Sequence, residues 1–169
     1  VRKGRKGIDW LPILLEAHSP LDIVVIMLGT NDCKTYYGAD AEQIASGVES
    51  LVQMVQEYDP NIEVLVASPI ALGDGVWEEG YDPEFNARSV EVSRQLPAAY
   101  RAVAGRRCVQ YIAASDYAQP SDTDREHMNE EGHRRFAQGI GNKIEQMIWH
   151  REQHSEHKGL ELGEWRSVS

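Results

Sequence analysis

The chain has 169 residues, 41% of them hydrophobic and 26% charged, which suits one globular domain around one core. Its formal net charge of -10 argues against a nucleic-acid partner, because a phosphate backbone rewards clustered Lys and Arg. No apolar run approaches the ~20 residues that cross a bilayer, so no membrane partner is expected.

The sequence opens on a basic cluster, Arg2, Lys3, Arg5 and Lys6, read as a solvated loop. Ile8, Leu11, Leu14 and Leu15 recur at helical spacing, and Ser19-Pro20 ends that short amphipathic helix. Asp22 to Leu28 is then a nearly unbroken apolar run ending at Gly29, the pattern of a strand buried on both faces of a parallel sheet. The Pro before it and the Gly-Thr-Asn-Asp turn after it favour a strand over a buried helix. Ile44, Val48, Leu51, Val52 and Val55 give the next helix its apolar face, and Asp59-Pro60-Asn61 breaks it. A second strand, Val64 to Ala67, closes with Ser68-Pro69. A Gly-rich loop (Gly73, Gly75, Gly80) carries Trp77 and Tyr81 to a helix expected at about 83–104.

A third strand, Cys108 to Ala113, leads into a polar loop at 115–128. Asn129 can cap the last helix, with Glu130 and Glu131 in its first turn and Phe136, Ile140, Ile144 and Met147 as its buried stripe. From Arg151 to Ser169 the pattern dissolves into a polar tail, expected to be disordered. The domain therefore occupies residues 1–150. Helices alternating with strands predict an α/β fold of three layers, α/β/α, around a parallel sheet. Three strands are fewer than the usual four to six. The chain begins at Val1 with no signal-like segment before its first strand, and has only two cysteines, Cys33 and Cys108. Two buried or half-buried thiols in a reducing compartment fit that count, so a cytoplasmic location is expected.

In open α/β sheets the ligand crevice lies beyond the carboxyl ends of the strands. Gly29-Thr30-Asn31-Asp32 lies there after the first strand, and Asp124-Arg125-Glu126-His127 after the third. An Asp three residues before a His in a tight loop can hold the imidazole through Nδ1–H, leaving Nε2 free to take a proton. An Asn amide at a strand end can donate to a developing oxyanion. Spacing alone favours an ordinary surface pair for the one and an ordinary turn for the other.

The two motifs together carry more. Val24 to Asp32 resembles the third conserved block of the SGNH (GDSL-like) hydrolases, a buried strand followed by Gly-x-Asn-Asp. Asp124 to His133 resembles that family's last block, Asp-x-x-His followed by a Glu-Gly-His helix start. The wording HSPLDIVVIMLGTNDCK is especially like the aryl-esterase and acyltransferase branch, and the resemblance extends from about Arg2 to Met147. It implies a flavodoxin-like sheet and an ester hydrolase acting through a serine acyl-enzyme, with no cofactor or metal. By that resemblance Asn31 is an oxyanion-hole donor, Gly29 allows close approach at the hole, His127 is the general base and then acid, and Asp124 orients it. Asp32 is expected to hold the turn, and His133 to lie on the helix surface.

Family members open with a strand leading to Gly-Asp-Ser, whose Ser is the nucleophile, and no Gly-Asp-Ser occurs in this sequence. Ser68 resembles a structural Ser-Pro turn, and Ser115 and Ser121 share the loop of the acid and base. Cys33 is the most interesting substitute, because a thiolate beside a histidine is nucleophilic, although packing is the plainer reading. By the resemblance the chain supplies three strands of the usual five and lacks on the order of 60 residues, two strand-helix units. The run at 22–28 then becomes an edge, open to self-association, and a chain of low stability is expected.

The leading expectation is thus hydrolysis of a small-acyl ester, or acyl transfer to an alcohol, with Trp77 and Tyr81 as pocket residues or loop anchors. A carbohydrate deacetylase of the same family and a non-catalytic truncated scaffold are the alternatives. A metal site on His150, His154 and His157 is disfavoured, because no acidic or Cys partner fixes its geometry.

Overall fold

The apolar run Glu63–Ser68 forms the middle strand, and its period-2 alternation builds two cores at once. The computed structural model describes residues 6–164, with side chains described to residue 153. In chain order it contains α1 (Gly7–His18), β1 (Ile23–Ile26), α2 (Ala41–Tyr58), β2 (Glu63–Ser68), α3 (Ala87–Arg107), β3 (Gln110–Ala113) and α4 (Glu130–Glu164). The strands lie in the order β1-β2-β3, all parallel, with Ile23 opposite Glu63 and Leu65 opposite Gln110. Successive side chains of a strand point to opposite faces. Val64 and Val66 accordingly join the core made with α2, α3 and Leu15 of α1. Leu65 and Ala67 join Ile112, Phe136 and Met147 under α4. The result is the three-layer α/β/α arrangement expected from the sequence.

Local chemistry sets the helix ends. Asp40 and Gln43 form a reciprocal capping box at the start of α2, and Asn86 and Ser89 do the same for α3. That second box explains why α3 begins at Ala87 rather than near residue 83. At the far end of α3, Cys108 takes the left-handed conformation, φ 53°, which delays β3 until Gln110. The same cap leaves Cys108 exposed, correcting the expectation of a buried or half-buried thiol. The Asn129 side chain accepts from the Gly132 N–H at 2.8 Å and caps α4.

Two segments depart from their expected burial. The run at 22–28 is a strand only over Ile23–Ile26, and Val25, Met27 and Leu28 are exposed on this side of the sheet. In α1 only Leu15 is buried, while Ile8, Trp10, Ile13 and Leu14 are exposed. The last helix also runs on where a polar tail was expected. Arg151 pairs with Asp22 at 2.9 Å, and the backbone stays helical to Glu164 through a proline-free stretch that holds four glutamates. Residues 165–169, and the side chains of His154 and His157, lie outside what is described. Among the described residues no helix is long and apolar enough to cross a membrane.

The layering predicts unequal costs of truncation. Leu65→Ala should lower the unfolding free energy by about 2–5 kcal/mol in a urea titration, because its side chain is fully enclosed. Val25→Thr at the open edge should cost less than about 0.5 kcal/mol. Similar losses at both positions would contradict the assignment of centre and edge.

Candidate active site

Two loops at the carboxyl edge of the sheet carry the polar residues singled out by the sequence. After β1 the chain turns through Gly29 into a 3-10 turn, Thr30–Cys33. Gly29 has φ +128°, and a Cβ built there would overlap the hydroxyl of Tyr100. That hydroxyl donates to the Leu28 carbonyl at 2.7 Å, so the end of β1 is pinned from beneath by α3. The absence of a side chain at position 29 is thus demanded first by Tyr100. Asn31 is exposed, and its side-chain amide has no partner among the described residues. Asp32 donates its backbone N–H to the Gly29 carbonyl, and desolvation raises its carboxyl above its ordinary value.

Cys33 does not meet the requirements of a substitute nucleophile. Its thiol is buried, donates to the Gly29 carbonyl at 3.6 Å and is pushed up to about 12 by burial and by the Asp32 charge. It is a packing residue that stays protonated. Ser68 is also enclosed and hydrogen-bonds the Tyr111 hydroxyl at 2.9 Å, a structural role. Ser121 reaches Asp124 Oδ1 at 3.4 Å and its carbonyl accepts from the Arg125 N–H.

The loop after β3 brings Asp124 and His127 together. Asp124 Oδ2 meets His127 Nδ1 at 2.7 Å, while Oδ1 accepts the backbone N–H groups of Glu126 and His127 at 3.0 and 2.9 Å. Both carboxylate oxygens are therefore committed. Partial burial opposes the Asp124 charge, but these donors prevail and hold the carboxyl down to about 2. The hydrogen bond to Asp124 raises His127 above its ordinary value of 6.5 against some desolvation, with the charges of Glu126 and Asp124 adding to it. The imidazole side chain is 70% exposed, and Nε2 faces no partner among the described residues. An oriented base with one free nitrogen is what proton transfer to or from a reacting oxygen needs. His133 lies exposed on α4, six residues on.

Sequence reasoning passed over the residues that tie these loops together. Lys34 pairs with Asp82 at 3.0 Å and with Glu84, and the Thr35 N–H donates to the Glu84 carbonyl. This links the Asn31 turn to the 73–86 loop. Glu126, beside His127, is raised by burial, with His127 and Lys34 opposing. Tyr81 lies against the Arg125 guanidinium, a loop anchor, whereas Trp77 is about one-third exposed on the same loop. A Lys and two acids some 50 residues apart leave no pattern in a sequence. Among the described residues no group of three His, Cys, Asp or Glu is placed to hold a metal ion.

The geometry predicts a titration. The His127 imidazole should titrate above about 6.5 by NMR, and Asp124→Asn should bring it down by removing the charge and the acceptor. The sign follows for stability. The Asp124 contribution is present above its unfolded value of 3.8 and lost as pH falls toward about 2. The His127 contribution is fully present below 6.5 and lost as pH rises through its raised value. A His127 midpoint that ignores Asp124→Asn would contradict the pairing.

Comparison with known proteins agrees with the two motifs. The model of the GDSL-like lipase/acylhydrolase family matches residues 4–135. No curated protein matches the chain. One solved structure is 36% identical, with a TM-score of 0.80 over 84% of this chain and 66% of its own. The chain is similar to a carbohydrate acetylesterase from Sinorhizobium meliloti, at 33% identity and a TM-score of 0.75 over 83% of this chain and 68% of that one. It is also similar to the aryl esterase of M. smegmatis, at 27% identity and a TM-score of 0.75 over 83% of this chain and 67% of that one. It spans about two thirds of the length of these structures. With its two loop motifs and most of its length matched by the family model, the chain belongs to the GDSL-like lipase/acylhydrolase family.

Proposed function

We propose that these residues form the acid-base and oxyanion half of a serine ester hydrolase, and that a segment outside this sequence supplies the nucleophile. The observation that carries the reading is the Asp124–His127 pair, with both carboxylate oxygens occupied and Nε2 left open. Family membership and esterase neighbours support ester hydrolysis in general. The serine hydroxyl attacks the ester carbonyl while His127 Nε2 takes its proton. His127 then returns that proton to the leaving alcohol, and the acyl group stays on the serine. Asn31 donates to the tetrahedral oxyanion, a contribution of about 10²–10³ in rate for one such donor. Water, activated in turn by His127, releases the acid, or an alcohol takes the acyl group instead.

A small acyl group such as acetyl is the substrate class we assign. Similarity to a carbohydrate acetylesterase favours, as a second reading, an acetyl group carried on a sugar hydroxyl. The open edge of β1 and the exposed face of α1, with Val25, Leu28, Ile8 and Ile13, are where the missing strand would seat, or where two copies would pair. Our placement in a reducing, cytoplasmic compartment rests on the two free cysteines.

In the protein that includes a Gly-Asp-Ser segment, p-nitrophenyl acetate should be hydrolysed with burst kinetics. His127→Ala should lower kcat by about 10³-fold or more, and Asn31→Ala by about 10²–10³-fold. Residues 1–169 alone should give no turnover above buffer. Full activity in His127→Ala would refute the assignment, and an inactive complete protein would favour a non-catalytic scaffold.

A further inference from the structure

We infer that Arg125 is a positioning residue whose guanidinium ties the Asp124–His127 turn to the 73–81 loop and so sets how well carboxylate and imidazole meet. The inference rests on the reading of those two residues as the acid-base pair.

The turn is unusual in its backbone. Arg125 adopts φ +58°, the left-handed region that a non-glycine residue rarely occupies. That reversal lies between Asp124 and the two N–H groups, of Glu126 and His127, that its Oδ1 accepts. Something must hold an arginine there, and three contacts on another loop do so. Nη1 donates to Glu78 Oε2 at 2.7 Å and to the Asp74 carbonyl at 3.0 Å. The guanidinium carbon stands 4.2 Å from the centre of the Tyr81 ring. The backbone closes the same contact from the other side, the Gly73 N–H donating to the Arg125 carbonyl at 2.8 Å.

The two loops also touch with no space between them. A Cβ added at Gly73 would stand 2.9 Å from the Arg125 Cβ and 3.3 Å from its carbonyl oxygen. Neither is the free end of a flexible chain, so the turn itself must move to admit it. The 73–81 loop thus acts as a template against which the dyad turn is pressed. Arg125 suits this task because Nη1 serves a carboxylate and a carbonyl while the planar guanidinium lies over the Tyr81 ring, which a lysine ammonium does less well.

The test reads His127 directly, by NMR titration of residues 1–169, and needs no turnover. The groups acting on that imidazole are Asp124 and Glu126 on its own loop, with Lys34 and Asp82 acting on Glu126 from the neighbouring loops. Arg125→Gly separates positioning from charge, since glycine accepts the left-handed backbone without the guanidinium. Losing a nearby positive charge would by itself raise the His127 midpoint. Loss of positioning lowers it, and the downfield Nδ1 proton signal should weaken with it. Gly73→Ala, which changes no charge, should lower the midpoint in the same direction. A midpoint that rises or stays fixed in Arg125→Gly, or stays fixed in Gly73→Ala, would overturn the inference. Failure of ester hydrolysis in the complete protein would instead bear on the proposed function, leaving this titration standing.

Discussion

The site depends on how many hydrogen bonds one carboxylate can accept in a four-residue turn. Asp124 takes two backbone N–H groups on Oδ1 and the imidazole on Oδ2, which fixes both its own rotamer and the tautomer of His127. Three donors outweigh the cost of partial burial, and the acid stays ionised through the range in which the histidine titrates. A neutral residue at position 124 would leave the same loop with a free imidazole of no set orientation. Near the same sheet edge, Tyr100 pins the Gly29 turn and Lys34 bridges that turn to Asp82.

The same chain holds its site on an asymmetric frame. β2 is enclosed on both faces, and the two loops grow from the strands that flank it. β3 is covered by α3 and α4, but β1 offers its outer edge and α1 its apolar face to solvent. An edge of this kind invites another strand. On the proposed function, one segment bringing both a strand and a nucleophile would cover the open edge and complete the site.

Much of this was legible in residues because it is local. The parallel strands follow from β-branched runs, the helices from the Ile44–Val55 and Phe136–Met147 stripes, and the cap of α4 from Asn129. A spacing of three allowed the Asp124–His127 contact, but only the two motifs taken together singled it out. What escaped were contacts whose partners lie far apart in sequence. Tyr100 beneath Gly29 is 72 residues from the carbonyl it holds, and Arg125 meets Glu78 across 47. The burial of the 22–28 run was overread for the opposite reason. An apolar pattern records what a strand can bury, whereas what it does bury depends on which neighbours are present.

The most direct measurement is to read the coding sequence immediately upstream of Val1, in frame. A strand-like apolar run leading into Gly-Asp-Ser is expected there, followed by a second strand-helix unit before the basic cluster at Arg2. A stop codon or an unrelated sequence at that place would contradict it, and the paired Asp124 and His127 would then be parts of a site with nothing to activate.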